Sequence, residues 1–168
     1  MLTDREIIST LEMLENENLD VRTVTLGINL LDCAAGSLNR VKDKIYTKIA
    51  QLAQNLVNEC DHIGQKYGIP VVNKRIAVSP IAVVGAALSS SQLVESATAL
   101  HEVAREVNVD LIGGFSALVQ KGLARGDHAW IEAIPHALAA TERVCASVHV
   151  ATTQAGINMD AVILMGQI

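Results

Sequence analysis

Three residue types that take part in nucleophilic catalysis, a thiol, a hydroxyl and an imidazole, alternate along one short segment of this sequence. Cys145, Ser147 and His149 are separated by single small or β-branched apolar residues. This alternation predicts a β-strand with the three polar side chains on one face. A strand rises about 3.3 Å per residue, so Cys145 and His149 are about 13 Å apart and cannot form a nucleophile–base pair. The segment is therefore not a catalytic triad, and only His149, nearest the carboxyl end, is well placed for a site.

Two other predicted strands also divide their residues between an apolar face and a polar or small face. The residues on the polar faces of all three strands include Thr23, Thr25, Gly27, Asn29, Asn73, Arg75, Ser147 and His149. A doubly wound sheet buries both faces under helices and has no place for such a set. A barrel too wide to be filled by side chains would place them in its lumen. We expect the lumen, and the alternative is an open sheet with one face in solvent.

Predicted strands and helices alternate along the chain, which favours a parallel α/β sheet with right-handed crossovers. The predicted strands are 21–29, 69–79, 109–112 and 144–152. The first predicted helix is 3–16, with a capping box at Thr3 and Glu6, and a long helix follows from Asn39 to the stop at Gly68 and Pro70. A third predicted helix has its cap at 89–91, and the helical region after it is interrupted by Gly122, Gly126 and Pro135. The last predicted helix is 158–168, with Asn158 as its N-cap.

These elements predict one α/β domain over residues 1–168, which we expect to be the N-terminal part of a larger sheet or barrel. The last predicted helix has neither a glycine cap nor a charged last turn, and its apolar residues need a cover. Four parallel strands also leave two unpaired edges. The alternative is a small open sheet whose edges and last helix are covered by a second copy of the chain.

Ligands of parallel sheets gather at the carboxyl ends of the strands, where two features could carry chemistry. Gly113 and Gly114 follow the third strand and could present free N–H groups to an anion, although a tight turn with Ser116 as the N-cap of the next helix explains them equally well. Cys33 follows the first strand and is a candidate reactive thiol. The neighbouring Asp32 is expected to raise the pKa of that thiol, and a small buried hydrophobe is the alternative role.

Composition argues against several classes of protein. The formal net charge is -5 and the chain has four aromatic residues, which disfavours binding to nucleic acid or to an anionic membrane. We expect no signal peptide and no membrane span, because the first residues are acidic and the longest apolar stretch is short. The three cysteines lack metal-ligand spacing, and the histidines in the predicted helices lack it too, so we expect no metal site and a cytoplasmic location.

Five segments resemble those of a known family: 23–33 (TVTLGINLLDC), 68–85 (GIPVVNKRIAVSPIAVVG), 109–122 (VDLIGGFSALVQKG), 143–148 (RVCASV) and 155–166 (AGINMDAVILMG). On these segments the chain is similar to uncharacterised protein family 0210, also called domain of unknown function 711. The resemblance covers essentially the whole chain. It implies a ten-stranded α/β barrel related to that of pyruvate formate-lyase, a homodimer, and members that continue beyond Ile168.

The family has no established activity, so the resemblance transfers no catalytic residue and identifies no cofactor. The glycine loop that a glycyl radical enzyme needs does not occur among these 168 residues. In the family the position of His149 is often asparagine, which argues against His149 as an essential acid or base.

Three hypotheses for function follow. The first is an enzyme, or part of one, that acts on a small anionic metabolite inside the barrel, with Arg75 as the anion anchor. In this hypothesis Asn29, Asn73, Ser147, His149, Gly113 and Gly114 line the pocket. The second is a binding or regulatory module that uses the same pocket without catalysis. The third is a structural subunit, or a remnant without activity of its own.

Overall fold

A four-stranded parallel sheet forms the centre of the computed structural model, which describes residues 3–16 and 20–168. The strands are β1 (Val21–Ile28), β2 (Val71–Val78), β3 (Leu111–Leu118) and β4 (Val144–His149), and their order in the sheet is β1-β2-β3-β4. Every strand thus lies beside its neighbour in sequence. With right-handed crossovers, this order places the connecting helices on a single face of the sheet. The predicted α/β fold of parallel βα units is confirmed.

The connecting segments contain most of the helices. The described residues form α1 (Asp4–Glu15), α2 (Leu38–Ala53), α3 (Leu56–Tyr67), α4 (Ile81–Val84), α5 (Ser90–Glu106), α6 (Arg125–Ala139) and α7 (Met159–Met165), with a 3₁₀ turn at Leu31–Cys33. Among these helices, none combines the length and the apolar character that crossing a membrane requires.

Three predicted helix starts are confirmed by their caps. Thr3 and Glu6 form the capping box of α1, in which the Thr3 backbone N–H donates to the Glu6 carboxylate at 2.7 Å. Ser89 caps α5 in the same way with Gln92. The Asn158 Oδ1 accepts the Ala161 N–H at 3.2 Å at the start of α7. Each cap satisfies backbone donors that the first helical turn leaves free.

The core lies between the sheet and the layer formed by α2, α5 and α6. It is mainly aliphatic, as the composition predicts, with Ile45 and Leu100 as examples of fully buried side chains. One aromatic pair joins sheet to helix layer, since the rings of Phe115 in β3 and Trp130 in α6 lie 5.3 Å apart. The helix layer therefore buries one face of the sheet.

The long helix predicted from Asn39 onward is wrong in one respect, because two helices occupy this segment. The backbone of Asn55 has φ -107° and ψ -2°, which interrupts the regular helix between α2 and α3. A new helix then begins, with the Glu59 N–H donating to the Asn55 carbonyl at 2.9 Å. The apolar positions continue in phase across this break, so the sequence pattern does not reveal it.

The third strand is twice as long as predicted and runs through the glycine pair. The pairing of β3 with β4 shifts between Gly113 and Phe115, which marks a β-bulge at Gly114. Gly114 has φ +116°, and a Cβ there would lie 2.5 Å from the Val78 carbonyl oxygen. Ser116 consequently lies within the strand rather than at a helix N-cap, and the next helix, α6, begins only at Arg125.

Two further boundaries differ from prediction. The fourth strand leaves the sheet after His149, and Ala151–Thr152 (β5) instead pairs antiparallel with Gly156–Ile157 (β6) in a small hairpin. Gly126 and Pro135 do not interrupt α6. Gly126 lies in the first turn, where a Cβ would approach the Ala86 carbonyl oxygen to 3.2 Å, so glycine allows the close approach of α6 to the loop after α4.

Candidate functional site

The two faces of the sheet have different environments in the described part of the chain. On the helix-covered face, the side chains of Ile76, Ile112 and Phe115 are at most 1% exposed. We call the other face the open face. Residues that pair across adjacent strands form rows on this face: Thr25–Arg75, Gly27–Ala77–Gly113–Cys145, Ser116–Ser147 and Leu118–His149. The predicted polar set therefore shares one face of one sheet.

Arg75 lies near the middle of the open face and is partly buried. Its Nε is buried, and no described residue accepts a hydrogen bond from it. Ion pairs occur at Lys42 (with Glu95, 3.7 Å), Lys48 (with Asp32, 2.7 Å) and Lys74 (with Asp61, 2.9 Å), whereas the described residues place no carboxylate within pairing distance of Arg75. Arg75 is thus a cation on the open face without an acidic partner among the described residues.

Two asparagines lie on the open face at opposite ends. Asn73, toward the amino end of β2, donates its Nδ2–H to the Arg22 carbonyl at 3.1 Å, so its amide links β2 to β1. Asn29 follows β1 at the carboxyl end, where its Oδ1 accepts hydrogen bonds from the Leu31 N–H (2.9 Å) and the Ser79 hydroxyl (3.1 Å). The Ser79 Oγ in turn accepts the Leu30 N–H at 3.0 Å.

Of the remaining predicted residues, some lie on the open face and one has a packing role within the sheet. Ser147 and His149 are exposed on the open face of β4, and Gly113 lies between Ala77 and Cys145 in the central row. Gly114 instead forms the bulge against Val78, which is a packing role. The structure does not bring Cys145 and His149 together, because they remain four residues apart along one strand.

Cys33 lies outside the open face, in the 3₁₀ turn after β1. Its side chain is 2% exposed, and burial, followed by the charge of Asp32, raises the pKa of its thiol. A hydrogen bond from Lys48 holds the pKa of Asp32 below its ordinary value, with both carboxylate oxygens 2.7 Å from the Lys48 Nζ. A thiol with a raised pKa is protonated at neutral pH, which is unfavourable for a nucleophile.

The described residues contain no group of three histidine, cysteine or acidic side chains placed to hold a metal ion. The helical histidines lie on α3, α5 and α6, away from the open face. Sequence reasoning did not select Ser79 as a site residue. The sequence could have indicated Ser79, because it directly follows β2 as Asn29 directly follows β1, and the last residues of these strands are paired.

Comparison with known proteins places the chain among proteins without an assigned activity. A family model described as "Uncharacterised ACR (DUF711)" matches residues 12–168. A UPF0210 protein of Syntrophobacter fumaroxidans is 61% identical over 167 residues, which are 99% of this chain and 36% of that protein. UPF0210 proteins of Oleidesulfovibrio alaskensis and Streptococcus pneumoniae are 57% and 51% identical, over 36% and 37% of their lengths. The chain therefore spans a little over a third of the length of the curated relatives it matches.

Proposed function

The chain belongs to the DUF711 family of UPF0210 proteins, and on this premise we propose that the open face of its sheet binds a small anionic metabolite, with Arg75 as the anchor for the anion. The observation that carries the proposal is the state of Arg75, which is partly buried, has no acidic partner among the described residues and has an unpaired buried Nε. A buried donor without an acceptor costs about 1–3 kcal/mol, so a movement of the Arg75 side chain that let an anion accept from this N–H would be favourable. A guanidinium also matches a carboxylate or phosphate with two parallel hydrogen bonds.

The neighbours of Arg75 support a ligand site over a packing surface. Gly27 and Ala77 leave the next row of the open face almost without side chains, and a Cβ placed at Gly27 meets no atom within 4 Å. Beyond this row lie the hydroxyl, amide and imidazole groups of Ser147, Asn29 and His149. We propose that these groups, together with Asn73 and Gly113, line the site, and that Gly114 shapes it through the bulge that it forms against Val78.

We further propose that the open face lines the lumen of a larger barrel. A sheet in which each strand pairs with the next in sequence, with its helices on the other face, has the architecture of a barrel wall. Relatives are almost three times as long as this chain, which is length enough for further βα units and for the ten-stranded barrel that the resemblance implies. If a full-length relative closes this barrel, its β1 and β4 amides will exchange hydrogen more slowly than those of the 168-residue chain.

We also propose a homodimer in the cytoplasm. Free thiols at Cys33, Cys60 and Cys145 are typical of a reducing compartment. Analytical ultracentrifugation of the 168-residue chain and of a full-length relative tests the dimer, and a monomer at micromolar concentration in both would exclude it.

The anchor is tested by titrating the ¹⁵N-labelled 168-residue chain with butyrate and glutarate. Wild type is expected to show shifts of the Arg75 Nε–H signal, and Arg75→Ala is expected to bind at least about 10-fold more weakly. Arg22→Ala is the matched control, because it removes the same charge from the same sheet on the helix-covered side. Equal affinity in wild type and Arg75→Ala would disprove the anchor.

A second candidate function is binding without conversion. The described part of the open face holds a thiol and an imidazole that are too far apart for a nucleophile–base pair, and Cys33 is buried with a raised pKa. Proton spectra of a bound metabolite that stay unchanged during long incubation with the full-length protein would favour the binding module. Appearance of a product would favour the enzyme.

A further inference from the structure

The amide of Asn29 has a fixed orientation at the carboxyl end of the open face. The Leu31 backbone N–H can only donate, so the atom it meets at 2.9 Å must be the Asn29 oxygen. The Ser79 hydroxyl donates to the same oxygen at 3.1 Å. Both lone-pair directions of that oxygen are therefore used. The Nδ2 group is left with two N–H donors, for which the described residues supply no acceptor.

Ser79 is itself held in place by a third hydrogen bond. Its Oγ accepts the Leu30 N–H at 3.0 Å, so the hydroxyl hydrogen is directed toward Asn29. Leu30 is fully buried, which anchors this network to the core. Ser79 thus acts as a positioning residue that presents the Asn29 amide donors.

Arg75 and Asn29 form two donor sites separated along one face. Arg75 precedes Ser79 by four residues in the same strand direction, which corresponds to about 13 Å between backbone positions. Asn29 lies one strand spacing, about 5 Å, to the side of Ser79. Between them the row of Gly27 and Ala77 carries no side chain larger than a methyl group, so nothing in this row blocks an extended ligand.

We propose that Arg75 and Asn29 recognise opposite ends of one ligand, a short linear carboxylate with a second oxygen acceptor at its far end, such as a dicarboxylate. This inference rests on the proposed function, because it takes Arg75 as the anchor for the first carboxylate. Arginine has no acceptor atom, and Asn29 offers only donors, so both ends of the ligand must accept hydrogen bonds. A monocarboxylate of the same chain length satisfies Arg75 and leaves the Asn29 donors unused.

Two variants separate recognition from folding. Asn29→Asp keeps an oxygen for the Leu31 N–H and the Ser79 hydroxyl but replaces the two donors with a second, negatively charged oxygen. Asn29→Asp is therefore expected to abolish the preference for a dicarboxylate. Ser79→Ala removes one of the two hydrogen bonds to the Asn29 oxygen and leaves the one from the Leu31 N–H, so the amide is held less tightly. This variant is therefore expected to reduce the preference in part while leaving monocarboxylate affinity unchanged. Asn58→Asp on α3 is the control with the same change of charge.

The test titrates the ¹⁵N-labelled 168-residue chain with succinate, glutarate and adipate, and with butyrate, valerate and hexanoate as controls matched in chain length. At least one dicarboxylate is expected to bind about 10-fold more tightly than its matched monocarboxylate and to shift the Asn29 side-chain signals as well as the Arg75 Nε–H signal. Circular dichroism verifies that each variant is folded.

The outcomes distinguish the two proposals. Equal affinity for matched probes, with Arg75 signals shifted and Asn29 signals unmoved, would overturn the two-ended ligand and leave the anchor standing. Shifts at neither residue would overturn the anchor and this inference together. Loss of the dicarboxylate preference in Asn58→Asp as well would assign the effect to net charge and overturn the role of Asn29.

Discussion

The two faces of one sheet differ in burial, in polarity and in the size of their side chains. On the helix-covered face, Ile76 and Ile112 are buried against α2, α5 and α6. On the open face, their neighbours Arg75 and Gly113 leave polar groups and free space. Parallel sheets are normally covered on both faces. Within the described residues, helices cover only one face of this sheet, and the ligand site that we propose lies on the other face.

Ile76→Ala is expected to give the largest effect, because it removes a 1% exposed side chain from the covered face. Truncation leaves a cavity under the helices and should lower the free energy of unfolding by about 3 kcal/mol. Ser147→Ala on the open face should change it by no more than about 0.5 kcal/mol. Urea denaturation followed by circular dichroism measures both, and equal losses would remove the contrast between the faces.

Cysteine reactivity should follow the same contrast. Cys145 is exposed on the open face, whereas Cys33 and Cys60 are 2% and 4% exposed and burial raises the pKa of both thiols. A raised pKa lowers the thiolate fraction at any given pH below it, and only the thiolate is alkylated. Iodoacetamide at pH 8 should modify Cys145 about 100-fold faster than either buried thiol, which must wait for local opening.

Mass spectrometry of peptides from the native protein measures these rates. Cys145→Ser is expected to remove the fast reaction. Modification of Cys33 as fast as that of Cys145 would contradict the burial of the 3₁₀ turn.

The glycine pair in β3 gives a smaller contrast within one strand. Gly114→Ala would place a Cβ 2.5 Å from the Val78 backbone oxygen at φ +116°, which should cost about 2 kcal/mol of stability. Gly113→Ala meets its nearest neighbour, the Ile76 carbonyl oxygen, at 3.9 Å and should be close to neutral. Thermal and urea unfolding of the two variants measure the difference. Equal stability would show that the bulge does not depend on Gly114.

Gly27→Val is expected to have a small effect on stability with the opposite sign. A Cβ at Gly27 meets no atom within 4 Å, and a β-branched residue suits a strand better than glycine, so stability should rise by about 0.5 kcal/mol. The added side chain occupies the space between Arg75 and Asn29, so glutarate binding should weaken in the same variant. Gly36→Val, in an open loop, is the control for the added bulk.

If Gly27→Val is stabilised and binds glutarate as tightly as wild type, the ligand does not occupy the space beside Gly27. Weaker glutarate binding in Gly27→Val, together with unchanged glutarate binding in Gly36→Val, would support a ligand site on the open face.

Alternation and capping patterns predicted much of this fold, and tertiary contacts produced the deviations. The boundaries of β1 and β2 agree with the prediction to within two residues, and the starts of α1, α5 and α7 agree with it too, because a two-residue period and a capping side chain act locally. The glycine pair was misread as the end of a strand. Gly114 adopts its positive φ against Val78 of the adjacent strand, and a contact across strands leaves no local pattern.

The candidate site divides in the same way. That Ser147 and His149 share a face follows from alternation within β4. That Arg75 in β2 lies on the same face follows from the pairing of β2, β3 and β4, including the register shift at Gly114. The hydrogen bonds of Asn73 to Arg22 and of Asn29 to Ser79 join residues about fifty positions apart, which only the register of β1 and β2 reveals. Alternation therefore predicted a polar side for each strand, and the strand register placed these sides on one face of the sheet. The tertiary structure decided which of its donors are satisfied and which, at Arg75 and Asn29, stay free of described partners, because hydrogen-bond satisfaction depends on distances between strands that no local pattern encodes.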